Sequence, residues 1–224
     1  MGAVGLLDLL LPRRCVVCGK QGNPVCSTCD GALERIGKPL CERCGAPTAW
    51  PVERCRECSG RRIAFARARA AVVYDESAKR LVGAWKERGQ RTLAELAAEI
   101  VTGVVSRPSA YTLTFVPADH DRQLRRGHNP AQRLAFELGT RWELPVVPLL
   151  RRSPGVVPQR GLSLVERRRN VRGVFQATEV APKALVLVDD VYTSGATVSA
   201  AATALRKAGA RRVEVVTFAR AVRS

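Results

Sequence analysis

The chain has 224 residues, 46% of them apolar, which is enough for a packed core and excludes a disordered polymer. A formal net charge of +17 favours polyanionic partners, either nucleic acid or phosphorylated ligands. Arginine outnumbers lysine 31 to 6, as a GC-rich coding sequence would also give, but that bias exchanges one cation for another and leaves the net charge to be explained.

The opening stretch from Leu6 to Leu11 is apolar except for Asp8 and reads as a short amphipathic helix. It is too short to cross a bilayer, no positive charge precedes it and no small-residue cleavage site follows. Neither export nor membrane insertion is therefore expected, and the chain is read as cytoplasmic. Thiols stay reduced in that compartment. All eight cysteines lie in residues 1–60 as four CxxC pairs: Cys15 and Cys18, Cys26 and Cys29, Cys41 and Cys44, Cys55 and Cys58. A CxxC knuckle places two thiolates at two corners of a tetrahedron, so four knuckles predict two structural Zn2+ sites of four thiolates each. A redox protein would need only one such pair. Gly19, Gly31, Gly45 and Gly60 follow the pairs where each knuckle turns back. Spacing leaves open whether consecutive pairs share a zinc or the pairs interleave. A boundary is expected at residue 60, between a zinc-ribbon domain over 1–60 and an α/β domain over 61–224. The second part carries 29 basic against 14 acidic residues and so most of the positive charge.

From Ile63 to Tyr74, alternating Arg and Ala lead into Ala71, Val72 and Val73, which predicts a strand running from an exposed edge into the core. Two helices follow. The first spans Ser77 to Arg88, with Leu81, Val82 and Trp85 on one face and Gly89 as its stop; the second runs to Val105 and is capped by Thr92. Trp85 reads as core; Lys86, with Arg88 and Gly89, reads first as a solvated helix end and second as a group facing an anion. A strand from Tyr111 to Val116 opens into the basic loop VPADHDRQLRRGHN. There Arg122, Arg125 and Arg126, close to Gly127 and Asn129, can hold pyrophosphate through bidentate guanidinium contacts; taken alone, the stretch also reads as three solvated arginines. His120 and His128 have no Ser or Cys partner in a nucleophile motif and read as surface residues. A helix over 130–142 and a strand from Val146 to Leu150 lead to Arg151 through Asn170, a Pro- and Gly-containing segment with six arginines and the composition of a closing lid.

The organising stretch is ALVLVDDVYTSGATVSAAATALRKAGA, residues 184–210. Ala184 to Val188 reads as a parallel strand buried on both faces. Asp189 and Asp190 stand where that strand emerges, and Thr193, Ser194, Gly195, Ala196 and Thr197 form a loop of small and hydroxyl residues. Thr197 or Ser194 caps a helix that runs through Lys207 and stops at Gly209. Free N–H groups and the positive dipole end of the helix suit a phosphate. Two adjacent carboxylates just upstream suit the vicinal hydroxyls of a ribose whose 5-phosphate lies in the loop.

VLVDDVYTSGAT resembles the phosphoribosyl pyrophosphate (PRPP) motif of type I phosphoribosyltransferases. The whole order is similar to the ComF family of competence-associated phosphoribosyltransferase-like proteins: zinc knuckles, K-x-R-G near 86–89, V-P with R-R-G-x-N, Q-x-x-L-S with R-x-R-N-V, the acidic loop and a final strand ending F-A-R. Matching positions include Gln159, Leu162, Ser163, Arg167, Arg169, Asn170 and Phe175. The chain departs from the pattern at Asp121, His128, Pro130, Pro154 and Val156, positions on the acceptor or partner side. The resemblance implies a type I phosphoribosyltransferase-like parallel sheet with helices on both faces, PRPP as ligand with Mg2+, and a role in the uptake of single-stranded DNA beside other DNA-uptake proteins. It implies Asp189 and Asp190 as the catalytic pair, Thr193 to Thr197 on the 5-phosphate, and Arg122, Arg125, Arg126, Arg167 and Arg169 on pyrophosphate and lid. Three functional classes follow: a transferase using PRPP, a PRPP-sensing DNA-uptake factor that binds single strands, and a metal-dependent scaffold. Aromatic residues, at 5%, are too few for a dedicated base-stacking platform.

Overall fold

The computed structural model describes residues 13–87, 92–153 and 173–222. The elements run α1 (Ser27–Gly31), β1 (Arg67–Val73), α2 (Glu76–Glu87), α3 (Leu93–Val104), β2 (Leu113–Phe115), α4 (His120–Arg126), α5 (Pro130–Trp142), β3 (Leu150–Arg152), β4 (Phe175–Ala177), β5 (Ala184–Tyr192), α6 (Ala196–Lys207) and β6 (Arg212–Arg220). Four strands form a parallel sheet in the order β1-β6-β5-β2, and β3 pairs antiparallel with β4.

Alternation along the two central strands divides the core. Val186, Val188, Val216 and Phe218 meet α2, α3 and α5 on one face, whereas Leu185, Leu187, Val213 and Val215 meet α6 on the other. Such double-sided burial explains strands that read as unbroken apolar runs. Trp85 is fully buried, edge-on to Phe218 at 6.3 Å, as its helical spacing predicts.

The cysteine-rich segment is built onto the sheet. Ile36 N–H donates to Ala71 O (2.8 Å), Val73 N–H to Glu34 O (2.9 Å) and Ala68 N–H to Arg43 O (2.9 Å), so the outer edge of β1 is covered and not exposed as its arginines suggest. Cys15 and Cys29 pack into one core, and Cys41, Cys44 and Cys58 into the other.

Several elements differ from their sequence reading. The strand expected over Val146–Leu150 makes a single bridge, Val146 to Leu113, because Pro145 and Pro148 have no N–H to extend a ladder; the strand proper is Leu150–Arg152. The basic loop after β2 is helical over its second half, as α4, and is closed by Gly127 in the left-handed conformation (φ 67°). Gly31 ends α1 without the positive φ that Gly19, Gly45 and Gly60 adopt. Thr92 sits at the N-cap of α3 with helical dihedrals and no side-chain cap bond. The first residues of the expected lid, Arg151 and Arg152, belong to β3; Leu6–Leu11, Gly89 and the rest of the lid from residue 154 on, with Arg167 and Arg169, lie outside the described residues.

Candidate phosphate-binding site and metal centres

The helices that follow β2 and β5 pack on opposite faces of the sheet, α5 on one and α6 on the other. The gap beyond the carboxyl ends of these two neighbouring strands is therefore a topological switch point, the place where open α/β sheets bind ligands. Pairing between them ends at Phe115–Val188, with one further bond from Val116 N–H to Val188 O (2.9 Å). β5 continues four residues farther, paired only with β6 as far as Tyr192–Arg220. Asp189 and Asp190 thus lie inside a strand, 9% and 7% exposed, and not at its end as the sequence suggests. Both lie past the last residue of β5 that pairs with β2.

Each carboxylate is anchored by the backbone: Asp189 Oδ1 accepts from Asp190 N–H (3.0 Å) and Asp190 Oδ1 from Val191 N–H (2.9 Å). Lys86, expected at a solvated helix end, instead forms an ion pair with Asp190 Oδ2. Burial pushes the Asp189 carboxyl up to about 7, opposed in part by the charges of Lys86 and Arg152. Arg152 is itself fixed by Asp119 Oδ2 (3.0 Å) and lies over Phe175, 5.3 Å from the ring centroid. A raised carboxyl pKa means that the folded state holds more protons than the unfolded chain between pH 3.8 and about 7. Stability therefore falls as pH rises through that window and levels off above it. Asp189→Asn, which keeps the acceptor for Asp190 N–H, is expected to raise the melting temperature at pH 8, by at most about 4 kcal/mol of stability. The gain should shrink as pH is lowered toward 5; calorimetric scans across that range check it, and a pH-independent difference would refute the assignment of the buried charge.

Beyond Tyr192 the chain turns through Thr193, Ser194 and Gly195 into α6. Gly195 is the N-cap, with φ 72°, and a Cβ there would collide with the Tyr192 hydroxyl, so both backbone and space require glycine. Neither Thr197 nor Ser194 is the cap residue, although Ser194 Oγ accepts from Ala196 N–H at 3.4 Å. Thr193 is exposed, and Ala196 and Thr197 are half-buried. The first-turn N–H groups of α6 have no intrahelical acceptor and face the end of the helix where an anion is favoured.

On the β2 side, Arg125 is exposed and Arg126 half-buried in the last turn of α4, where cations are favoured by the helix dipole. Arg122 belongs to the same helix. Asn129 holds two elements together, since its side chain caps α5 by accepting from Ala131 N–H (3.0 Å) and donates to Val116 O (3.0 Å). His128, read as a surface residue, is 5% exposed with its ring nitrogens 2.9 Å from Arg126 O and Trp85 O. It ties α2 to α4. Lys86, Arg152 and Asp119 do not stand out as site residues in the sequence; only the lysine in K-x-R-G gives any signal.

The thiols resolve into Cys15, Cys18, Cys26 and Cys29, and Cys41, Cys44, Cys55 and Cys58, each set within 4.8 Å, so consecutive pairs share a site. Sulfur separations of 3.7 Å (Cys18–Cys26), 3.6 Å (Cys41–Cys58) and 3.5 Å (Cys44–Cys55) approach the edge of about 3.8 Å of a tetrahedron with 2.3 Å zinc–sulfur bonds. Burial opposes ionisation of Cys15 and Cys41, but backbone N–H groups outweigh it and lower them to about 6 and about 7. Burial and the neighbouring thiols push Cys29 up to about 12 and Cys58 to about 11. Cys15 and Cys41 thus form thiolates readily, whereas Cys29 and Cys58 need a cation beside them. Both groups suit structural zinc.

A Gly-turned loop at the switch point of a parallel sheet suits a phosphate-bearing ligand, and the part of the chain that carries it is of the phosphoribosyltransferase class. Residues 124–223 match the family described as Phosphoribosyl transferase domain, and residues 6–59 that described as Double zinc ribbon domain. The chain is 30% identical over 226 residues to Competence protein F of Haemophilus influenzae, an alignment covering 93% of this chain and 97% of the relative. The chain belongs to the ComF family. It is 25% identical to Competence protein ComFC of Streptococcus pneumoniae (92% and 100% covered) and 29% identical to DNA utilization protein YhgH of Salmonella typhimurium (85% and 88% covered). No helix among the described residues is long and apolar enough to cross a membrane.

Proposed function

We propose that this protein binds PRPP with magnesium and works as a phosphoribosyltransferase-type factor in the uptake or utilization of DNA. The observation that carries the reading is the buried pair Asp189 and Asp190, placed on β5 just past the end of its pairing with β2 and followed at once by the Gly195 turn into α6. Asp189 and Asp190 take the two ribose hydroxyls. Thr193 to Thr197 take the 5-phosphate at the N-terminus of α6. Arg122, Arg125 and Arg126, with Arg167 and Arg169 of the following basic segment, meet the charge of the pyrophosphate. Asp189 and Asp190 would hold magnesium, a hard cation suited to carboxylates, and it would supply neutralisation of the pyrophosphate charge. Pentosyl transfer is the reaction class this arrangement serves: the bond from C1 to pyrophosphate breaks as a bond from C1 to an acceptor forms.

PRPP at a hundred times its dissociation constant, with magnesium, stabilises the folded state by about 2.7 kcal/mol. That corresponds to a rise of about 5 °C or more in melting temperature for a chain of this size. Thermal denaturation with PRPP, with magnesium alone and with ribose 5-phosphate checks it, and an unchanged transition at millimolar PRPP would refute the loop assignment.

The DNA part of the reading is supported by the net charge of +17 and by the names of the relatives, a competence protein and a DNA utilization protein. With aromatic residues at 5%, single-stranded DNA is held through its phosphates, so binding falls steeply with salt. Measuring that salt dependence with and without PRPP separates a DNA-handling factor from a transferase or a non-catalytic scaffold that senses PRPP.

A further inference from the structure

The phosphate loop is clamped from the cysteine-rich segment by two routes. The first begins at Arg220, the last residue of β6, which is 1% exposed. Its guanidinium donates to Cys44 O (2.6 Å), contacts Cys44 Sγ (3.5 Å) and pairs with Glu57 Oε2 (2.8 Å). A buried guanidinium needs such anionic and carbonyl partners, and four thiolates around one Zn2+ leave a net negative charge for it to offset. The same guanidinium lies over the Tyr192 ring, 4.5 Å from its centroid, and Tyr192 in turn fills the space beneath Gly195. The second route is Arg61, just past the Gly60 turn of the last knuckle. Arg61 donates to Glu57 O (3.2 Å) and to Ser194 O (2.6 Å). Glu57, between Cys55 and Cys58, is common to both routes.

We infer that the second four-thiol group is a positioning device for the phosphate loop, acting through Glu57, Arg220 and Tyr192 from beneath and through Arg61 on Ser194. The inference rests on the reading of that loop as the seat of a sugar 5-phosphate. Backbone N–H groups bind a phosphate well only when already aimed at it, so a loop held in one conformation binds without an ordering cost. Arg61, Arg220 and Glu57 act through the loop and not on the ligand. The first thiol group, packed against α2 and β1, has no comparable link to the loop among the described hydrogen bonds.

The test uses full-length, zinc-loaded protein carrying Glu57→Gln or Arg61→Met, with Arg35→Met, which breaks the Arg35–Asp30 pair of the first ribbon (2.7 Å), as control. Hydrogen exchange of the 193–198 amides and calorimetric titration with PRPP and magnesium are read together with zinc content and melting temperature. Both test variants are expected to keep their zinc and to melt close to wild type. They should exchange the loop amides about tenfold faster and bind PRPP about tenfold more weakly, as expected for loss of one charge-assisted hydrogen bond. Arg35→Met should change neither quantity. Loop exchange and PRPP affinity within about twofold of wild type in both test variants would overturn the inference. A change in Arg61→Met alone would overturn the Arg220 route and leave Arg61 as the only clamp. If wild-type protein takes up no PRPP, the ligand reading fails by itself, and the exchange measurement still decides whether the second ribbon holds the loop.

Discussion

Removal of metal from the two four-thiol groups is expected to unfold residues 13–60 and to strip the edge of the sheet with them. Structural zinc contributes on the order of 10 kcal/mol of folding free energy per site, comparable with the whole stability of an ordinary domain. Loss of two such sites cannot be absorbed. The thiols are also core residues, Cys15 and Cys29 in one cluster, Cys41, Cys44 and Cys58 in the other, so an unfolded ribbon opens both. β1 would lose the backbone bonds made at Ala68, Ala71 and Val73, leaving an unpaired edge prone to intermolecular pairing. Elemental analysis of protein purified without chelator should find close to two zinc ions per chain. Chelation strong enough to remove them should abolish the cooperative melt or lower it by tens of degrees. A zinc content near zero, or an unchanged melt after complete removal, would contradict the structural role of the metal.

Replacement of both Asp189 and Asp190 by Asn should cost most of the affinity for PRPP while the protein still folds. Asn retains the acceptor atoms that Asp190 N–H and Val191 N–H use, and it removes charge from side chains that are nearly buried. Folding is therefore expected because the substitution relieves a buried charge, and not because the pair lies outside the core. On the proposed reading the ribose hydroxyls would lose charged acceptors, and magnesium would lose both hard anionic ligands. A charged hydrogen bond contributes about 1.5–3 kcal/mol, so two together correspond to a loss of at least about a hundredfold. Inorganic phosphate, which needs only the N–H groups of the loop, should bind as before.

The order of elements from β1 to β6 is largely legible in the sequence, since buried parallel strands and amphipathic helices write their periods directly into residues such as Leu81, Val82 and Trp85. The turn from β5 into α6, where we propose the phosphate sits, is legible for a different reason: Gly195 and the residues around it answer to a local geometry. What escapes are relationships between distant segments. Lys86 looks like a solvated helix end because its partner, Asp190, is more than a hundred residues away. His128 looks like a surface residue because one of the two backbone carbonyls its ring meets, Trp85 O, belongs to a helix 43 residues earlier in the chain. The acidic pair reads as a strand end, because nothing in its own neighbourhood reveals that β6 carries the pairing on to Tyr192. Sharing of each zinc by consecutive cysteine pairs likewise depends on how the knuckles fold together, and spacing alone permits both arrangements.

The measurement that bears most directly on the ligand reading is calorimetric titration of PRPP, with magnesium present, into zinc-loaded wild-type protein and into the folded Asp189→Asn, Asp190→Asn double variant. Saturable binding at one site per chain is expected in the wild type, with a loss of about a hundredfold or more in the double variant and phosphate binding kept. Equal PRPP affinity in the two proteins would make the carboxylates a passive part of β5 and contradict the assignment of this crevice.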